Sequence, residues 1–174
     1  MIRFGILGAG KIAHRFAASL AKVEGAELVA ASRRTAGKAA VFLAEVPCTP
    51  GARAYGDHEA LLADPEVDAV YLALPHDLHH AWALRALDAG KAVLCEKPAM
   101  LSEAEAAEVT AAARERGLLF MEAMKTRFVP LHPHVVDAVG AMGPVARVHA
   151  SYRTRDTYIL GGGPGSGVLL DCGI

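Results

Sequence analysis

The chain has 174 residues, 53% of them hydrophobic, and its 18 Lys and Arg against 19 Asp and Glu leave a formal net charge of −1. That length suits one ordinary domain with a sizeable core and the beginning of a second. So small a charge gives no global field to draw nucleic acid or an anionic membrane surface, and no apolar run approaches the roughly 18 residues of a membrane span.

The residues Ile2-Arg3-Phe4-Gly5-Ile6-Leu7 read as an apolar strand that runs straight into Gly8-Ala9-Gly10-Lys11-Ile12-Ala13, a G-x-G-x-x-A turn. Such a turn needs Gly8 because the strand must bend tightly. It needs Gly10 because a missing Cβ lets a pyrophosphate approach the backbone, and a small Ala13 because helix and strand pack closely there. The helix that follows would aim its unpaired N–H groups at those phosphates. The apolar positions Ile12, Phe16, Ala17 and Leu20 predict that helix up to about Lys22, and Glu27–Ser32 predicts a buried strand, which completes a βαβ unit.

A second helix fits Ala36 to Glu45, before a loop marked by Pro47, Pro50 and Gly51 and a short helical piece from His58 to Ala63. Val67 to Leu74 reads as a strand closed by Pro75, Leu78 to Ala89 as a helix ended by Gly90, and Ala92 to Cys95 as a further strand. Ser102-x-x-Glu105 is a capping box for a helix to Arg116, after which Gly117 terminates it and Leu118 to Met121 forms another strand. Strands alternating with helices predict an α/β fold, a doubly wound, mostly parallel sheet of Rossmann type over residues 1–122.

From 123 to 174 the pattern changes. Pro130 to Val139 fits a helix, Val145 to Arg153 alternates as a strand exposed on one face, Gly161–Gly167 is a loop by composition, and Val168–Ile174 is apolar. Roughly 50 residues with one good strand close no core of their own, so this part reads as the start of an incomplete α+β C-terminal domain. The three cysteines, Cys48, Cys95 and Cys172, are odd in number and form no C-x-x-C. They read as reduced thiols, which together with the absence of a basic, apolar leader ahead of the first strand makes a cytoplasmic protein the expectation.

Roughly 20 residues past the glycine turn, where an acid would accept hydrogen bonds from the ribose of NAD, stand Ser32-Arg33-Arg34. A small hydroxyl followed by two guanidinium forks suits a 2′-phosphate, so NADP is expected ahead of NAD; the competing reading is a solvated loop. Glu96-Lys97-Pro98 directly follows a predicted strand, at the carboxyl end where open α/β sheets place ligands. A lysine there can donate to a substrate oxygen, and Pro98 can set an unusual backbone path, by a cis bond for instance. The competing reading is a surface loop.

The glycine turn, Asp64–Val70, Leu74-Pro75-His76-Asp77-Leu78-His79, Ala89–Pro98 and Gly167–Gly173, in that order, resemble the Gfo/Idh/MocA oxidoreductase family over essentially the whole chain. Met121–Phe128 further resembles the family's dihydrodiol dehydrogenase branch, with Lys125 where that branch usually has Trp. The resemblance implies a Rossmann domain binding NAD(P) and a C-terminal domain that shapes the substrate pocket and often mediates homo-oligomers. It also implies hydride transfer between the nicotinamide and a carbinol carbon of a sugar, polyol or trans-dihydrodiol. By the same resemblance Lys97 contacts the reacting oxygen. Asp171 matches the first member of the family's Asp-x-x-x-His/Tyr pair, whose second member would fall at position 175.

His76, His79 and His80 stand at helical spacing, which in principle suits a metal. No carboxylate ligand is evident nearby and the family needs no metal, so none is expected; His79 reads as lining the pocket, and His132 and His134 as surface residues. The expected cofactor contacts are therefore Gly8, Ala9, Gly10, Lys11, Ile12, Ser32, Arg33, Arg34, Leu74, Pro75, His79, Glu96 and Lys97. Lys97 and Asp171 are the expected catalytic residues, with Arg127 a lesser candidate for the substrate pocket. The alternative is a non-catalytic NADP-binding module or fragment of such an enzyme.

Overall fold

The computed structural model describes residues 1–35, 37–149 and 151. The elements run β1 (Ile2–Leu7), α1 (Lys11–Leu20), β2 (Ala26–Ser32), α2 (Lys38–Glu45), β3 (Arg53–Tyr55), α3 (His58–Leu62), β4 (Ala69–Leu72), α4 (His79–Asp88), β5 (Ala92–Cys95), α5 (Glu103–Glu115), β6 (Phe120–Glu122) and α6 (Leu131–Ala141). Short 3-10 turns at His76–Leu78 and Lys125–Phe128 precede α4 and α6. All strand pairs are parallel, in the order β3-β2-β1-β4-β5-β6. The chain winds outward from β1 to β3, then returns across β1 to lay down β4 to β6, which makes the β1/β4 boundary the switch point of the sheet.

Both faces of the sheet are covered, and the strand residues alternate between two cores. Leu7, Ala30, Leu72 and Cys95 join Leu61, Ala83, Leu87 and Val109 on one side, while Ile6, Ala31 and Tyr71 join Ala13, Ala17 and Phe42 on the other. Two apolar faces are what a parallel sheet with helical crossovers requires. The register carries the fold toward function: Leu7 pairs with Ser32 and with Leu72, and Leu72 pairs with Cys95. The next residues along, Gly8, Arg33, Ala73 and Glu96, therefore emerge side by side at one carboxyl edge.

Helix ends explain where strands begin. The Lys91 amide reaches the Ala86 carbonyl and Gly90 that of Leu87, while Leu118 reaches Ala113 and Gly117 reaches Arg114. Both are Schellman closures built on a left-handed glycine. The Leu118 amide is spent on α5, so the expected strand over 118–121 is observed as Phe120–Glu122. The capping box forms with one displacement: Ser102 accepts from the Glu105 amide at 3.2 Å, but the Glu105 carboxylate accepts from Leu101 rather than Ser102.

Other expectations shift. The strand over 67–74 narrows to Ala69–Leu72, because the Val67 amide turns back to Asp64 and Leu74 leaves the sheet toward the carboxyl edge. The edge strand β3 has three residues, too few for periodicity to show. Residues 145–149 and 151, the described part of the strand expected over 145–153, carry no strand. The loop expected over 161–167 and the apolar segment 168–174, with Asp171 and Cys172, lie outside the described residues. Cys95 is buried and Cys48 half-buried, both as free thiols.

The amino edge is fastened by Arg3. Its guanidinium grips Asp68 through Nε at 2.9 Å and Nη2 at 2.7 Å, its amide adds a bond at 2.8 Å, and Nη1 reaches Glu66 at 2.7 Å. These bonds hold the Asp68 carboxyl at about 2, below its ordinary 3.8. The stabilisation from a depressed carboxyl is complete above its unfolded pKa and vanishes as pH falls through the folded one. The gap in urea midpoint between wild type and Asp68→Asn should accordingly be widest near neutrality and close between about pH 4 and pH 2. A gap that stays constant over that range would contradict the assignment.

Candidate functional site

The carboxyl edge is organised around Gly8. It has φ +93°, and a Cβ there would stand 2.5 Å from the Ala73 carbonyl oxygen, so both its backbone conformation and its surroundings require glycine. Its amide donates to the Ser32 carbonyl at 3.2 Å, while Ala73 donates to Leu7 at 2.9 Å, which draws the ends of β1, β2 and β4 to one point. Gly10 differs. It is the N-cap of α1 with extended backbone, and among the described residues a Cβ there would meet nothing closer than the Gly8 oxygen at 4.0 Å. Among the described residues no side chain caps α1, and no acid stands in its first turn, where Lys11 and Ile12 begin the helix, so its leading amides are suited to an anion.

Beside this turn lies a cavity of about 280 Å³. Gly8 and Gly10 form one wall, Arg33, Arg34, Thr35 and His58 a second, and Ala73–Pro75 a third. Arg33 turns Nη1 onto the Ala9 carbonyl at 2.9 Å, tying the arginine segment to the glycine turn while its other donors remain. Ser32 does not line the cavity. Its side chain is fully buried, with Oγ 2.7 Å from His58 Nδ1 and 3.3 Å from the Ile6 carbonyl. The hydroxyl expected to face the cofactor is thus turned inward, and a histidine whose position in the sequence carried no site signal takes its place in the wall.

The other expected residues gather on β4 and β5. His79 is wholly buried, with Nδ1 2.9 Å from the Pro98 carbonyl and Nε2 2.9 Å from that of Leu74, so it spans the two segments that leave these strands. Two carbonyls favour a doubly protonated ring, but burial has the greater effect and lowers its pKa. A neutral ring then donates to one carbonyl and only touches the other. His80 points elsewhere, to Glu108 at 2.9 Å. With both His79 nitrogens against carbonyls and His80 paired across to α5, the histidine spacing serves the fold rather than converging on one centre.

Glu96 accepts a 2.5 Å bond from the Tyr71 hydroxyl and a 3.2 Å bond from the Lys97 amide. Burial first, and Glu96 second, push the Tyr71 phenol upward, so it acts as a fixed donor. Tyr71 in turn stacks on Phe16 of α1, with ring centroids 3.9 Å apart. Lys97 is half-buried just past β5 and precedes Pro98 through a cis peptide. Glu122 of β6 accepts from the Ala99 amide at 2.8 Å, which fixes the far side of that loop. Arg127 lies on the short turn before α6, and Asp171 falls outside the described residues.

A parallel sheet with a glycine turn at its switch point, an uncapped helix start and an arginine-walled cavity define a dinucleotide-binding domain of Rossmann type. Comparison with known proteins agrees. Residues 2–124 match the model of the oxidoreductase family with an NAD-binding Rossmann fold, Gfo/Idh/MocA, and the chain belongs to that family. It is 38% identical over 187 residues to trans-1,2-dihydrobenzene-1,2-diol dehydrogenase of Bos taurus, covering 99% of this chain and 53% of that protein. It is 39% identical over 152 residues to scyllo-inositol 2-dehydrogenase (NADP(+)) of Bacillus subtilis, covering 87% and 45%. Among solved structures, the 3-ketoreductase KijD10 from Actinomadura kijaniata, in complex with NADP and TDP-benzene, superposes with a TM-score of 0.73 at 38% identity, over 80% of this chain and 42% of that one. The chain spans about half the length of the curated relatives it matches.

The two turn glycines should separate on substitution. Gly8→Ala strains a positive φ and drives a methyl into a carbonyl, and should cost about 3 kcal/mol or more. Gly10→Ala loses only a favourable N-cap, about 1 kcal/mol. Urea unfolding measures both, and equal losses would contradict the geometry at Gly8.

Proposed function

We propose that this chain is the cofactor-binding part of an NADP-preferring oxidoreductase, with residues 1–122 forming the nucleotide domain and 123–174 beginning the domain that shapes the substrate pocket. The observation that carries this reading is the open notch at Gly10. The described residues give no steric reason for glycine there, whereas a pyrophosphate against the first amides of α1 does. The residues present fit such a group. Gly8 and Gly10 present bare backbone, their own amides being bonded to the Ser32 and Gly8 carbonyls, while Ala9, Lys11 and Ile12 bring the leading amides of the turn and of α1; Arg33 and Arg34 supply guanidinium donors where NAD sites place an acid, and Leu74 and Pro75 form the wall beyond. Bound NADP would supply the hydride acceptor, and NADPH the donor.

The chain's own part is orientation and proton handling. Lys97, at the exit of β5, would hold the substrate oxygen through its ammonium and pass a proton to or from it, which fits a carbinol or carbonyl carbon of a sugar, polyol or trans-dihydrodiol. Glu96 steadies the base of that loop through Tyr71, and His79 keeps it beside Leu74. Asp171 is assigned to orienting the partner acid–base group, and NAD is the lesser cofactor. The free thiols support a cytoplasmic setting, and among the described residues no helix is long and apolar enough to cross a membrane.

Fluorescence titration of the nicotinamide tests the cofactor reading. NADPH should bind about tenfold or more tightly than NADH, Arg34→Ala should erase most of that preference, and Gly10→Ala should weaken both while the fold persists. Equal affinities unaffected by Arg34→Ala would refute it. Lys97→Met should lower turnover on sugars, polyols or diols by ~10²-fold or more and leave NADPH affinity within about twofold. Unchanged turnover would remove Lys97 from the chemistry, and binding with no turnover in wild type would favour the module reading.

A further inference from the structure

His58 is nearly sealed by the protein, 4% exposed, yet it forms part of the cavity wall together with Arg33 and Arg34. Its place is set from two sides. It opens α3 beside Asp57, whose carboxylate caps that helix through the Ala60 amide at 2.7 Å, and its ring meets Trp82 of α4 edge-on at 4.9 Å. Nδ1 lies 2.7 Å from Ser32 Oγ, which in turn reaches the Ile6 carbonyl at 3.3 Å. That chain of contacts accommodates a charged ring. An imidazolium donates from Nδ1 to the serine oxygen, the serine proton goes to Ile6, and the second ring N–H is left for a ligand.

The surrounding charges decide when the ring is charged. From the β2–α2 connection Arg34 opposes it, from its own segment Asp57 and Glu59 favour it, and Glu59 is shared with Arg85, which stacks on Trp82 at 4.8 Å. Ser32 and Trp82, the groups facing it from β2 and α4, carry no charge. Burial is the largest influence and lowers the pKa, with Arg34 next, so the ring is neutral near pH 7 without a ligand. A phosphate monoester set against Arg34 would turn the opposing charge into a neutralised one and bring two negative charges toward the ring.

We propose that His58, held by Ser32, is the third member of the 2′-phosphate subsite beside Arg33 and Arg34, and takes up a proton as the phosphate binds. This rests on the NADP reading and adds to it a donor that neither the arginines nor the glycine turn supplies. It also gives the buried Ser32 a role at one remove, as the acceptor that fixes the ring. The cofactor's other phosphates lie at the glycine turn in that reading, so the ligand to which His58 responds is the 2′-ester alone.

The test is an NMR titration of the His58 ring in the 174-residue chain, with 2′,5′-ADP or 5′-AMP as the probe. Without ligand its midpoint should fall below 6.5; 2′,5′-ADP should raise it by about one pH unit or more, and 5′-AMP should leave it in place. As a second measurement, His58→Asn keeps a short polar group toward Ser32 and should weaken NADPH about tenfold at pH 6.5 while changing NADH less than about twofold. If wild type binds 2′,5′-ADP and the His58 midpoint does not move, or moves equally with 5′-AMP, this inference fails and the cofactor reading stands. If wild type binds neither NADPH nor 2′,5′-ADP, both fail.

Discussion

Everything at the carboxyl edge depends on the close approach of the Gly8 backbone to Ala73. A side chain at Gly8 would collide with the Ala73 carbonyl, so the ends of β1 and β4 meet without an intervening Cβ, and the Gly8 amide simultaneously reaches Ser32 at the end of β2. From that junction α1 starts in the right place, Arg33 comes close enough to bond Ala9, and the segment Ala73–Pro75 becomes a cavity wall rather than more strand. A single steric condition thus sets the positions of backbone amides, guanidinium groups and wall together.

Around that junction the polar side chains divide by task. Ser32, His79, Glu96 and Glu122 are engaged with other parts of the protein: Ser32 meets His58 of α3, Glu96 accepts from Tyr71 of β4, Glu122 of β6 accepts from the Ala99 amide, and His79 lies between the segments that leave β4 and β5. Their contribution is position, since a group held by packing and bonds pays little to reach a productive geometry. The residues proposed for ligand and chemistry, Arg34 and Lys97, lie one or two positions further along from these anchors.

Much of this architecture was legible in the amino acids. The G-x-G-x-x-A turn, the alternation of strand and helix, and the glycines closing α4 and α5 all rest on short-range rules, and all appear in the fold. What was not legible depends on contacts distant in sequence. β3 has too few residues to show a period; it is placed by β2 and by Asp64, which accepts from both Arg53 and Tyr55. Its distance from the glycine turn puts Ser32 at a ligand, but whether a strand's last residue points out or in depends on what packs beneath it, here His58, 26 residues later. The histidines at 76, 79 and 80 share a helical spacing, but spacing does not tell where each ring turns: His79 lies against the carbonyls of Leu74 and Pro98, and His80 reaches Glu108.

In the proposed function NADP lies across the β1/β4 switch point with its 2′-phosphate on the arginine side. Amide chemical-shift mapping of the chain with NADPH reads that placement residue by residue. The largest changes are expected at Gly8–Ile12, Arg33–Thr35 and Ala73–Leu74, with those at Arg33–Thr35 absent when NADH is used. Changes centred elsewhere, for instance along the crevice between α4 and α5 at Asp88, Glu108 and Arg116, would contradict it.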